Sequence, residues 1–205
     1  AFPCDFCYNR GREFATILTK NKTMENQMMK KTTSAKKCAA RPARSITISA
    51  AIAALYVLLT LLANVFGLSS MAIQVRFSEA LTVLPVFTPA AIPGLFFGCL
   101  LANFLTGGAP WDIVIGSAAT LLAAILTWLL GKIKWGKWLA ALPPILCNTI
   151  AIPPVLAYVY HADGTLLFFA LTVFLGELIS CGGLGMALLV ALNRIPRSQN
   201  LLLDE

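Results

Sequence analysis

Apolar residues run through this chain in long blocks, not at alternating or heptad positions. Ile46–Leu68 holds 23 residues without a charge. As a helix that is about 34 Å, enough to cross a bilayer core. Ile113–Gly131 and Trp138–Tyr160 are comparable blocks, and Thr165–Leu192 is longer and carries one charge, Glu177. Phe77–Leu105 is punctuated by Pro85, Pro89 and Pro93, and reads either as one long kinked helix or as two short ones.

Loop charge decides between them. Residues 1–45 hold ten Lys/Arg against Asp5, Glu13 and Glu25, which accounts for the whole net charge of +7. Lys132, Lys134 and Lys137 lie between two apolar blocks. With the basic tail inside, these lysines fall inside only if Phe77–Leu105 crosses twice, turning at Phe87-Thr88-Pro89. The same count places His161 and Asp163 outside and Arg194 and Arg197 inside. The expected fold is therefore an all-α membrane protein of six transmembrane helices with both termini cytoplasmic. Residues 1–45 would be a basic, disordered cytoplasmic tail, 46–193 the six-helix domain, and 194–205 a short cytoplasmic tail.

Composition agrees: 58% of residues are hydrophobic and 12% charged, too little charge to cover a soluble surface. The basic excess is confined to the tail, with no folded basic face, which argues for anionic lipid over nucleic acid. Within the tail, Met24, Met28 and Met29 follow Ala1, and the stretch from Met28 has the look of an ordinary basic leader. Residues 1–23 read as an over-extended frame or otherwise not native. Cys4 and Cys7 form a CxxC with no second pair and no nearby His, so they are taken as incidental. The Ile46 block is too long for a cleavable signal. Cys38 lies in the tail, and Cys99, Cys147 and Cys181 stand singly in apolar blocks as small packers, implying no disulfide framework.

Gly107-Gly108-Ala109-Pro110 marks a turn, with Trp111 at interfacial depth. Pro143-Pro144 and Pro153-Pro154 interrupt the fifth block. They point to a kinked helix beside a cavity, or to kinks that neighbouring helices simply tolerate.

Four charges fall in or beside the apolar blocks away from the lysine loop: Arg76, Glu79, Asp112 and Glu177. Each costs on the order of 2.5–3.5 kcal/mol at mid-span. Asp112 sits at a helix start and suits an N-cap role. Arg76 and Glu79 are three apart and can share a face near the outer entrance. Glu177 lies about 18 Å deep, counted at 1.5 Å per residue, with no cation at helical spacing. It must be protonated, paired with Arg76 across the bundle, or facing something that enters. Asn64, Asn103 and Asn148 are further polar groups in apolar blocks, of which Asn103 and Asn148 are the candidates for a shared pocket. Ala50 and Ala54, with Ser49 and Ala53, make a seam of small residues on the first helix, suited to close helix packing or to docking a separate membrane protein.

No GxxxxGK[ST], HExxH or GxSxG occurs, and His161 is the only histidine, so no catalytic set, cofactor site or metal site is expected. What remains is recognition of a small solute, with any active uptake driven by a partner or an ion gradient.

The stretch Arg76-Phe77-Ser78-Glu79-Ala80-Leu81-Thr82-Val83-Leu84-Pro85, continuing through Phe87-Thr88-Pro89 to Ile92-Pro93-Gly94-Leu95, resembles the QueT family. These are the substrate-binding S components of energy-coupling-factor (ECF) transporters for queuosine precursors. The resemblance runs from about Ala50 to Leu192 and takes in Trp111-Asp112-Ile113-Val114, Leu142-Pro143-Pro144 and Gly176-Glu177-Leu178-Ile179; Val75 stands where the family pattern would have an aromatic. The resemblance implies a six-helix S-component-like bundle with an outward-facing pocket in the bacterial cell membrane. It also implies a transmembrane coupling subunit and two ATPase subunits as partners, docked through Ala50 and Ala54. The implied ligand is a 7-deazaguanine. Glu177 would read its base edge or an aminomethyl group, Arg76 and Glu79 would shape the entrance, Asn103 and Asn148 would line the pocket, and Trp111 or a Phe would stack on the ring. The competing expectations are an S component for another vitamin and a stand-alone proton-coupled carrier. A membrane enzyme lacks any catalytic constellation.

Overall fold

The computed structural model describes residues 43–67, 75–161 and 164–194. The expected tail up to residue 42, its CxxC, the start-site reading, Asp163 and the C-terminal residues from 195 lie outside them. The chain divides at Arg44, and everything below concerns the second unit, together with the first two residues of its first helix.

All the regular structure among the described residues is helical. Helix α1 spans Ala43–Val65. A 3-10 segment, Phe77–Val86, leads through a turn to α2, Ala91–Leu105. Helix α3 covers Pro110–Gly131. A short 3-10 turn, Gly136–Leu139, precedes α4, Leu142–Tyr158. The last helix is continuous over Leu166–Arg194. It begins as α5, Leu166–Glu177, passes through a π-helical segment, Leu178–Gly185, and ends as α6, Met186–Arg194.

Four of these units are long and apolar enough to cross a membrane: Ala43–Val65, Pro110–Gly131, Gly136–Tyr158 and Leu166–Arg194. Their outward faces are apolar, as at Leu58, Ile150 and Leu167, which are 62%, 74% and 70% exposed. The interior instead collects Ser78, Glu79, Thr82, Asn103, Thr120, Asn148 and Glu177. An apolar exterior around a polar interior is stable only in lipid.

The blocks expected as the second and third spans differ from that expectation. The break at Phe87–Ala90 falls at the predicted corner. Phe77–Val86, however, is a ten-residue 3-10 segment buried from Ser78 to Val83, and α2 has 15 residues. Their lengths, about 20 and 22 Å, fall short of a 30 Å core. Pro85 lies inside the 3-10 segment, where it lacks an N–H and crowds the carbonyl four residues back. The segment is wedged into the bundle: a Cβ on Gly185 would lie 3.1 Å from Val83, and one on Gly131 would lie 3.0 Å from the Val86 backbone.

Proline placement also corrects the sequence reading. Pro143-Pro144 does not kink α4; it lies in its first turn, just after the break at Ala140–Ala141 within the Gly136–Tyr158 unit, where backbone N–H groups have no helical acceptor in any case. Pro153-Pro154 does lie inside α4, and it frees the carbonyls of Thr149 and Ile150 from their ladder donors. Asp112 is not an N-cap. Ala109 caps α3, and Asp112 sits in its first turn, buried.

Glycine lets α1 and α2 touch backbone to backbone. A Cβ on Gly94 would meet the Ser49 carbonyl oxygen at 2.7 Å, and one on Gly98 would meet Tyr56 Cβ at 2.8 Å. This is the small-xxx-small approach typical of lipid-embedded helices. The Ser49 hydroxyl reinforces it by donating to the Ala90 carbonyl at 2.6 Å. The seam expected on α1 therefore splits. Ser49 and Ala53 face α2, while Ala50 and Ala54 are exposed. Around this contact lies the core of Ile52, Tyr56, Leu81, Ala91, Leu95, Cys99, Ala102 and Ala124.

Gly98→Leu is expected to destabilise the protein by about 1–3 kcal/mol, as overpacked cores do. Gly183→Ala, which meets open space, should be neutral. Thermal unfolding of both variants in detergent measures the difference.

Candidate functional site

Two cavities sit one above the other. The inner one is narrow, about 20 Å³, room for about one water. It is lined by Arg76, Glu79, Cys99, Gly116, Thr120, Asn148, Ile152, Val173 and Glu177. The outer one, about 300 Å³, is lined by Thr60, Ala63, Asn64, Arg76, Asn103, Thr106, Gly107, Gly108, Asp112, Ile152, Leu156 and Tyr160. Arg76 and Ile152 border both.

Two carboxylates form the floor. The Tyr56 hydroxyl, fully buried by the α1–α2 contact, donates to Glu79 Oε1 at 2.5 Å. Thr60, one turn on, donates to Ser78 at 2.8 Å and holds the start of the 3-10 segment against α1. Glu177 accepts from Asn148 Nδ2 at 2.8 Å and from the Cys181 thiol at 3.1 Å. Cys181 also lies 3.4 Å from the Glu79 carbonyl oxygen and 3.5 Å from Thr82 Oγ1, so it ties the last helix to the 3-10 segment. A carboxylate oxygen of Glu79, one of Glu177 and the Cys181 sulfur all lie within 4.8 Å of one another. Glu79 Oε2 is buried with no hydrogen-bond partner among the described residues. Such an atom is costly unless something enters to satisfy it.

Chemically, this floor gathers the acceptor oxygens of two buried carboxyl groups in one place. Its complement is a solute carrying adjacent N–H donors or an ammonium group. The same three residues are the one metal-capable cluster among the described residues, although the thiol here is engaged as a donor to Glu177. The field of the Arg76 guanidinium reaches both Glu79 and Asp112.

At the outer mouth, the Tyr160 hydroxyl donates to Asp112 Oδ2 at 2.9 Å and accepts from the Ala109 N–H at 2.9 Å. This links the end of α4 to the start of α3. Partial burial, and then the neighbouring Asp112, hold the Tyr160 phenol above its usual pKa, so the link keeps its proton at neutral pH. His161, next in the chain, is exposed at φ 48°, as befits a wet loop residue.

Of the residues singled out from sequence, Arg76, Glu79, Asn148 and Glu177 line the inner cavity, and Arg76 and Asn103 line the outer one. Trp111 lines neither and is 66% exposed on the first turn of α3. Glu177 meets Asn148 and Cys181. The cysteines also need correcting. Cys181 is a donor, and Cys99 accepts from Thr120 at 3.3 Å and from Asn103 at 3.5 Å, so neither is merely an apolar packer. Sequence reasoning missed Tyr56, Asp112, Tyr160 and Cys181 as site residues. One signal was available: Cys181 stands one helical turn after Glu177.

The QueT transporter family profile matches residues 46–194, the greater part of the chain. The chain belongs to the QueT transporter family. That family is one of transporters, and the four long apolar helices make the chain a multi-pass protein of the bacterial cell membrane. It is similar to the queuosine precursor transporter QueT of Lactococcus lactis subsp. cremoris, with 36% identity over 78 residues. That match covers 38% of this chain and 45% of the relative, so it spans less than half the relative's length. No solved structure matches the chain.

Removing the Tyr56 hydroxyl tests the floor directly. Tyr56→Phe should lower stability by about 1–3 kcal/mol, because the buried Glu79 loses its hydroxyl donor; unfolding in detergent reads this. At the mouth, Tyr160→Phe should accelerate hydrogen exchange at the Ala109 amide without changing the melting temperature by more than a few degrees.

Proposed function

We propose that this chain is the substrate-binding subunit of an ECF-type importer that captures a queuosine precursor, a 7-deazaguanine, from outside the cell. The observation that carries this reading is the unpartnered Glu79 Oε2 beside Glu177 at the foot of a polar shaft. A 7-deazaguanine places a ring N–H and an exocyclic amine side by side, a pattern a carboxylate accepts bidentately. An aminomethyl group would supply a cation for the second carboxylate. The family match and the name of the Lactococcus relative support the same ligand.

The inner cavity is too small for a bicyclic base, whereas the outer one has the volume. The base therefore docks first in the outer chamber among Asn103, Asp112 and Arg76. Its donor edge then reaches Glu79 and Glu177 as the passage between Arg76 and Ile152 widens. Stacking by Trp111 has no support in its outward position.

In this reading the chain passes six times, along the four long helices and through the two shorter segments, whose missing length the surrounding bundle covers, with both termini cytoplasmic. The exposed Ala50 and Ala54 on α1 dock the transmembrane coupling subunit, and two ATPase subunits supply the energy. The exposure of that seam supports the docking role.

Glu177→Gln is expected to weaken 7-deazaguanine binding by about ten-fold or more, the loss typical of a charge-assisted hydrogen bond. Titration calorimetry on the purified protein measures it, and unchanged affinity would refute the assigned role. A thermal-shift panel of 7-deazaguanines against common vitamins separates this ligand from another vitamin. Uptake that survives loss of the ATPases and collapses with the proton gradient would instead identify a stand-alone carrier.

A further inference from the structure

Helix α3 presents one stripe of residues to the solute path. Asp112, Gly116 and Thr120 stand four apart, which sets them on one face, each a turn from the next. Asp112 lines the outer cavity, and Gly116 and Thr120 line the inner one. Gly116 is the member without a side chain, and it falls where the two cavities meet. A Cβ there would lie 3.2 Å from Asn103 Nδ2, 3.9 Å from Asp112 Oδ1 and 4.0 Å from Ile152 Cδ1. Those three residues all line the outer cavity, and Ile152 lines the inner one as well. Glycine weakens a mid-helix position relative to alanine. At Gly94 and Gly98 the compensation is close packing, because a Cβ would strike α1. At Gly116 the nearest atoms are side-chain ends, so the space left by the missing Cβ belongs to the solute path and not to a packed backbone.

We infer that Gly116 and Ile152 form the neck between the two chambers, and that the bare backbone at Gly116 determines which ring system is accepted. This rests on the reading that the solute's donor edge reaches Glu79 and Glu177. With that edge on the floor, the second ring of a fused bicycle trails upward into the neck. It lies there with one face on α3 at Gly116 and the other toward Ile152. A methyl group on α3 would stand at ordinary contact distance from Ile152 Cδ1 and close that space. A single ring has nothing at this level and does not meet the neck. Gly116 is therefore a specificity-determining residue for bicyclic solutes.

The test is titration calorimetry of the full chain in detergent with 7-deazaguanine and with isocytosine, a single ring bearing the same donor edge. Gly116→Ala should weaken 7-deazaguanine binding by roughly ten- to two-hundred-fold, the span for one methylene in a pocket. The affinity for isocytosine should not change. Adding Ile152→Val, which removes the Cδ1 atom facing the new methyl, should recover most of the loss, whereas a general distortion of α3 would not be repaired this way. If Gly116→Ala does not fold, Ile152→Phe narrows the same neck from α4 and should show the same selective loss. Undiminished 7-deazaguanine binding by the narrowed variant, an equal loss for both rings, or no recovery in the double variant would overturn the inference and leave the role of the floor intact. A parent protein that binds neither ring would overturn the underlying reading, and this inference with it.

Discussion

A buried carboxylate in lipid needs donors, and in this protein the need falls on two carboxylates close together. Glu79 and Glu177 lie on different elements, one on the 3-10 segment and one at the end of α5. Each is held by donors from further elements: Tyr56 from α1 for Glu79, and Asn148 from α4 for Glu177. Cys181 then joins the two carboxylate-bearing segments to each other. The floor is therefore built only when α1, the 3-10 segment, α4 and the last helix are all in place. Stability and the binding geometry rest on the same few hydrogen bonds.

The irregular backbone is concentrated around this floor. The 3-10 segment, the internal prolines of α4 and the π segment that starts one residue after Glu177 are all departures from regular α-helix. In hydrocarbon such departures are tolerated where they are buried or line a cavity, and π segments often mark functional sites. Thr149 and Ser180, which flank the floor on α4 and the π segment, keep buried hydroxyl oxygens without partners among the described residues. The backbone is least regular where the chain has to enclose something other than itself.

Much of this could be read from the sequence. Block length and charge revealed the long helices, and Phe87-Thr88-Pro89 marked the break in the shorter pair. The cost of charge in lipid singled out Glu79, Glu177 and Arg76, all of which line the inner cavity. Hydropathy could not show that Phe77–Val86 is a buried wedge, because an apolar segment facing protein and one facing lipid look alike. Nor could it rank Tyr56, whose role depends on a partner far away in the chain, and the spacing of Glu177 and Cys181 carried weight only once the thiol was seen to donate. Trp111 illustrates the opposite error: adjacent residues on a helix point about 100° apart, so Asp112 meets the chamber and its neighbour does not.

The glycine contact between α1 and α2 also limits how the molecule can change shape. With Gly94 and Gly98 pressed against α1, that pair has no space left between its members into which either could shift. Any widening of the shaft must then be borne by the opposite wall, where the α4 prolines and the π segment leave the ladder loose. Under the proposed function, a neighbour seated on the outward surface of α1 would sense a filled chamber only by way of the other wall.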